Sequence, residues 1–147
     1  MKGVNEMNTR TISTLTAEAS QRLIEAAAAK AEEMGRPMAI AVCDPGGNPI
    51  GFRRMDGAPL MSSGIAQDKA FTAASFGMPT DQWYDFIKDD APLALGIVHT
   101  PRLVTFGGGY PVKVDGEVVG GLGLSGGHYS EDMECAQAAL AETGLGA

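Results

Sequence analysis

Between Thr16 and Gly35, apolar Leu23, Ala27 and Ala31 recur at helical spacing among Glu, Gln, Arg and Lys, with Leu15, Ile24 and Met34 nearby. The pattern predicts an amphipathic helix from Ala17 to Met34. Thr16 is placed to cap it, Glu18 suits its positive end, Gly35 closes it and Pro37 bars continuation. Met38 to Val42 is an unbroken apolar run and reads as a buried strand. Asp44-Pro45-Gly46-Gly47-Asn48 is a turn, and Pro49 to Arg54 returns antiparallel to complete a hairpin. Met55-Asp56-Gly57-Ala58-Pro59 breaks that strand.

A second helix starts at Ser62 or Ser63 and runs to about Ser75 through Ile65, Ala66, Lys69, Ala70 and Ala73; Gly77 and Pro79 end it. Thr80 opens a third, short helix whose apolar face is Trp83, Phe86 and Ile87. Ala91 to Pro101 reads as loop or short helix. Leu103 to Phe106, Tyr110 to Val114 and Glu117 to Leu124 read as strands, the last two joined by the hairpin signal Asp115-Gly116. Ser130 is expected to cap a final helix, with Glu131 and Asp132 in its first turn, Met133, Ala136 and Leu140 on its apolar face, and Gly144 as its stop. Strands joined by hairpins imply an α+β fold, a five-stranded antiparallel sheet flanked by helices, and not a doubly wound α/β fold. Residues 14–147 are expected to form one domain behind a flexible segment, residues 1–13.

The 147 residues are 44% hydrophobic and 20% charged, an ordinary globular balance. A net charge of −7 argues against nucleic acid and anionic membranes. No apolar run is long enough to span a bilayer, and the first residues lack the apolar stretch of an export signal, so the cytoplasm is expected. Cys43 and Cys135 sit in apolar stretches and read as buried thiols; no metal site is expected from their spacing.

Glycine is concentrated in the second half: Gly107-Gly108-Gly109-Tyr110, then Gly120-Gly121-Leu122-Gly123-Leu124-Ser125-Gly126-Gly127. Glycine inside strands means that a ligand, another subunit or a packed helix comes close to the backbone. The pair Gly126-Gly127 leads into a helix N-terminus, a natural seat for an anion such as a carboxylate. His128 adjoins that pair and His99 precedes a predicted strand; these two side chains are the candidates for proton transfer near neutral pH. Tyr110 follows three glycines and can place its hydroxyl over the space they clear. Of Arg53 and Arg54, strand alternation turns only one into any given pocket. Lys69 reads as a surface charge or an anion contact. The resulting ligand-binding set is Arg54, Lys69, Gly108, Gly109, Tyr110, Gly126, Gly127 and His128; the catalytic set, for an enzyme, is His128, His99 and Tyr110.

The segments Arg54-Met55-Asp56-Gly57-Ala58, Asp68 to Gly77, Gly107 to Val112 and Gly120 to Gly127 resemble, in order, the signature stretches of the GlcG/HbpS family, which includes the C-terminal domain of PduO-type proteins. The resemblance covers about Leu15 to Leu140. It implies a profilin-like fold, homo-oligomers from dimers to octamers, and, for some members, haem or another tetrapyrrole as ligand. Arg54 and Lys69 would then meet the propionates. The first helix contains no histidine, so an axial ligand falls to His99, His128, a methionine or an oxygen donor. Three functions follow: an oligomeric binder of a tetrapyrrole or small organic acid; a cofactor-free isomerase, tautomerase or lyase acting on a small unsaturated carboxylate in organic-acid catabolism; or an accessory subunit whose glycines serve assembly.

Overall fold

The computed structural model describes residues 7–146, so residues 1–6 of the segment expected to be flexible lie outside the described residues. Helix α1 is Ala17–Glu33, β1 is Ala39–Cys43, β2 is Pro49–Arg54 and α2 is Ser62–Phe76. A 3-10 turn, Thr80–Gln82, leads into α3, Trp83–Ile87, and α4, Ala91–Ile97. Strands β3, Gly109–Val114, and β4, Glu117–Ser125, precede the last helix α5, Tyr129–Thr143.

The sheet is antiparallel and has four strands in the order β2-β1-β4-β3, not five. Leu103 to Phe106 does not form the expected strand because its neighbourhood bonds to a side chain instead. Thr72 Oγ1 donates to Arg102 O at 2.8 Å and accepts from Val104 N–H at 3.1 Å. Arg102 itself takes φ 68°, a left-handed turn that ends any extended run.

β1 is buried along its whole length because helices cover both faces. Met38, Ile40 and Val42 join the core beneath α1 and α5; Ala39, Ala41 and Cys43 meet Ala66, Ala70 and Ala74 of α2. Gly109 of β3 and Gly121 and Gly123 of β4 explain how close α2 lies. A Cβ at Gly123 would overlap Ala66 O, and one at Gly121 would overlap Ala70 O. The close approach is therefore that of a packed helix, with backbone against backbone.

Local chemistry sets the ends of α1: Thr16 Oγ1 accepts from Ala19 N–H at 3.1 Å, and Gly35 takes φ 68°. Three expectations change. The cap of α5 is His128, not Ser130. Neither Ser62 nor Ser63 caps α2, whose N-cap is Met61 with no side-chain hydrogen bond. In α3, Trp83 and Ile87 are buried but Phe86 is exposed, packed edge-on against Trp83.

The two sheet edges differ. Along β3, Gly109 N–H goes to Thr80 Oγ1 at 2.9 Å, Pro111 has no N–H, and Lys113 N–H goes to Leu145 O at 2.8 Å. Along β2, Met55 N–H donates to Met38 O, so the two-residue alternation turns the N–H and C=O of Phe52 and Arg54 away from β1.

Candidate functional site

One end of the sheet gathers most of the candidate chemistry. Ala39 is in register with both Arg54 and Ser125, so the start of β1 and the ends of β2 and β4 coincide there. The chain leaves β4 through Gly126, where a Cβ would stand 2.6 Å from Pro37 O, and α5 begins at once. Arg36, from the connection after α1, places Nε 2.7 Å from Glu131 Oε2. The other carboxylate oxygen, Glu131 Oε1, accepts the His128 N–H at 3.1 Å. The Arg36 hydrogen bond, then the His128 N–H, hold the Glu131 carboxyl below its ordinary range.

An open cleft of about 480 Å³ lies at this end, lined by Arg36, Pro37, Arg53 and Met55 together with Glu32 and Asp56. Arg53 lines the cleft, while alternation sends Arg54 to the opposite face, where it is exposed. Among the described residues, neither arginine forms an ion pair.

His128 is exposed, and its ring centroid is 4.1 Å from that of Tyr129. Its Nδ1 accepts the Ser130 N–H at 3.2 Å and lies 2.8 Å from Ser130 Oγ. An Nδ1 that accepts an N–H leaves the proton of the neutral ring on Nε2. The Gly127 N–H, expected to be free for a ligand anion, donates to Asp132 Oδ1 at 3.1 Å. The chain thus supplies its own carboxylate at this helix N-terminus. His99 lies past α4, exposed, and shares no hydrogen bond or ring contact with the other candidates among the described residues.

Lys69 is neither on the surface nor free. Its Nζ lies 2.8 Å from Asp132 Oδ2, and both side chains are enclosed. A second N–H goes to Leu124 O at 2.8 Å. Burial lowers the Lys69 pKa and raises that of Asp132, each partner opposing the other's shift. Gly108 packs over this pair with φ 122°, and Gly109 packs on the backbone of Lys69. Tyr110 is buried under α5. Burial, reinforced by the Asp81 carboxylate and opposed by Gln137, pushes its phenol up to about 12, so it stays protonated at neutral pH.

The structure thus brings Arg54, Gly126, Gly127 and His128 to one end and sets Lys69, Gly108 and Gly109 just inside it. Reasoning from sequence missed Arg36, Met55 and the role of Asp132 as partner of Lys69. Each depends on contacts between residues far apart in the chain, for which no local signal exists.

The profile of the family described as "Haem degrading protein HbpS-like" matches residues 15–141. A 15.0 kDa protein encoded in the dhaT-dhaS intergenic region of Citrobacter freundii is 38% identical over 130 residues, covering 88% of this chain and 92% of that protein. The crystal structure of Klebsiella pneumoniae protein ORFY superposes with a TM-score of 0.86 at 31% identity, covering 93% of this chain and 95% of that one. The crystal structure of a PduOC:heme complex superposes with a TM-score of 0.80 at 35% identity, covering 87% and 94%. Among the described residues, no helix is long and apolar enough to cross a membrane.

Proposed function

From the premise that this chain belongs to the HbpS-like family, we propose that it binds a haem-like tetrapyrrole at the end of the sheet where Arg36, Arg53, Met55 and His128 gather. The observation that carries this reading is the open cleft of about 480 Å³ that sets two guanidinium groups beside apolar Ala28, Pro37 and Met55. Guanidinium forks suit propionate carboxylates, and the apolar walls suit a macrocycle. The similarity to the PduOC:heme complex supports the same ligand class.

The donor set fits with one condition. His128 is exposed, and ligation through its Nε2 asks Nδ1 to carry the proton, which gives up the Ser130 N–H bond and keeps only the link to Ser130 Oγ. Met55 offers a thioether that now accepts the Met38 N–H at 3.4 Å. When bound, haem supplies an iron whose reactivity follows its axial donor.

Assembly into a homo-oligomer is the second part of the proposal. Helix α4 has no buried residue, and Tyr84, Phe86, Leu95 and Val98 around it are exposed. A second copy would cover that surface. Hemin titration followed by absorbance tests the ligand: a saturable, shifted Soret band is expected, weakened when Arg36→Glu and Arg53→Glu are combined. A drifting signal that never saturates and ignores those changes rejects it. Light scattering reads the assembly.

A further inference from the structure

Lys69 is a buried group that the tetrapyrrole reading leaves unused. Two of its N–H donors are fixed, on Leu124 O and Asp132 Oδ2. The ring centroid of Phe106 stands 5.1 Å from Nζ. Beside it Gly108 carries no side chain; a Cβ there would stand 2.6 Å from Nζ. Phe106 is itself 44% exposed, so its ring reaches from the neighbourhood of the amine to solvent. The ring is flanked by Tyr129, 6.5 Å away centroid to centroid. Asp132 is held in place by the Gly127 N–H on its other oxygen.

In an enclosed ammonium–carboxylate pair at 2.8 Å, desolvation disfavours both charges and so eases passage of the proton from nitrogen to oxygen, while the attraction between the two opposes it. Burial lowers Lys69 and raises Asp132, in keeping with that transfer. The product is a neutral amine beside a carboxylic acid, the two groups that imine formation requires.

We infer that Lys69 and Asp132 form an imine-forming site for a small carbonyl compound, entered when the Phe106 side chain swings aside. Asp132 takes the ammonium proton. The freed amine adds to the carbonyl carbon to give a carbinolamine. Asp132 returns its proton to the carbinolamine hydroxyl, the C–O bond breaks and water leaves. The sum is ammonium plus carbonyl giving protonated imine plus water, with no change of oxidation state. Side-chain rotation of a half-exposed ring is fast compared with such condensation.

The test is reductive trapping. The protein is incubated with acetaldehyde or pyruvate and cyanoborohydride, and adducts are located by peptide mass mapping. Lys69 is expected to be labelled ahead of the exposed Lys88 and the half-buried Lys113. Phe106→Ala is expected to speed that labelling by about tenfold, as for removal of a modest opening cost. Asp132→Asn, where it folds, is expected to abolish the preference. The two probes separate a neutral from an anionic carbonyl compound, and a preference for either supports the site. Lys69 left unlabelled in the native protein while Lys88 reacts overturns it, and labelling that appears only after Phe106 is removed overturns it equally. Hemin plays no part, so failure here leaves the tetrapyrrole reading standing.

Discussion

Lys69 Nζ stands 2.8 Å from Asp132 Oδ2 and joins α2, on one face of the sheet, to the first turn of α5, on the other. The pair closes the end of the molecule at which the candidate residues collect. Such a pair holds its geometry because each charge has only the other, and a few backbone groups, to replace water.

Breaking the pair from one side is expected to be costly. Lys69→Met or Asp132→Leu alone strands a buried charge and should lower stability by about 3–5 kcal/mol. The double change Lys69→Met with Asp132→Leu should recover much of that loss. Urea denaturation of the three variants measures it; equal losses that simply add would show that the two residues act independently.

His128 should behave first as a helix cap. His128→Ala is expected to cost about 1 kcal/mol, and His128→Asn, which can still accept an N–H from the first turn, only a few tenths. Hemin binding by the Asn variant then separates capping from ligation. A thermal midpoint unmoved by the Ala change would remove the capping role.

Two glycines make opposite forecasts. Gly123→Ala drives a methyl into the backbone of α2 at Ala66 and should destabilise by several kcal/mol or prevent folding. Gly64, inside α2, has open space where a Cβ would go. Gly64→Ala should therefore stabilise by about 0.5–1 kcal/mol. Chemical denaturation of both variants tests the reading of α2 as a helix lying on bare strands.

The Arg36–Glu131 contact predicts a pH dependence with a definite sign. The carboxyl is depressed in the folded state, chiefly by the Arg36 hydrogen bond. Its contribution is therefore present above the unfolded carboxylate pKa and is lost as pH falls through the lower, folded value. Arg36→Ala should lower the thermal midpoint at neutral pH, and the difference should fade in acid. A difference that persists unchanged at the acid end would assign the effect of Arg36 to packing.

Much of the fold was legible where local chemistry decides it. Thr16 and Gly35 bracket α1, and Pro49 to Arg54 was readable as β2 because turn residues border it. The errors share a cause. Leu103 to Phe106 has strand-like residues, but the hydroxyl of Thr72, some thirty positions earlier, takes its backbone groups. Ser130 looked like the cap, yet the chain turns two residues sooner and His128 serves. Lys69 reads as a surface charge or an anion contact, and nothing local marks Asp132 as the carboxylate it meets. The glycine run announces a close approach without saying of what; at Gly109, Gly121 and Gly123 the answer is α2, which lies before them in the chain.

The unequal edges of the sheet limit how copies of this protein can aggregate. A fibril grown by strand addition needs an acceptor on both sides of each unit. Here Thr80, Pro111 and the Leu145 carbonyl close the β3 side, and the β2 side stays available among the described residues. Edge-to-edge joining of folded copies therefore stops at a pair, with both open sides consumed. Growth by strand addition is thus limited by geometry, without reliance on net charge.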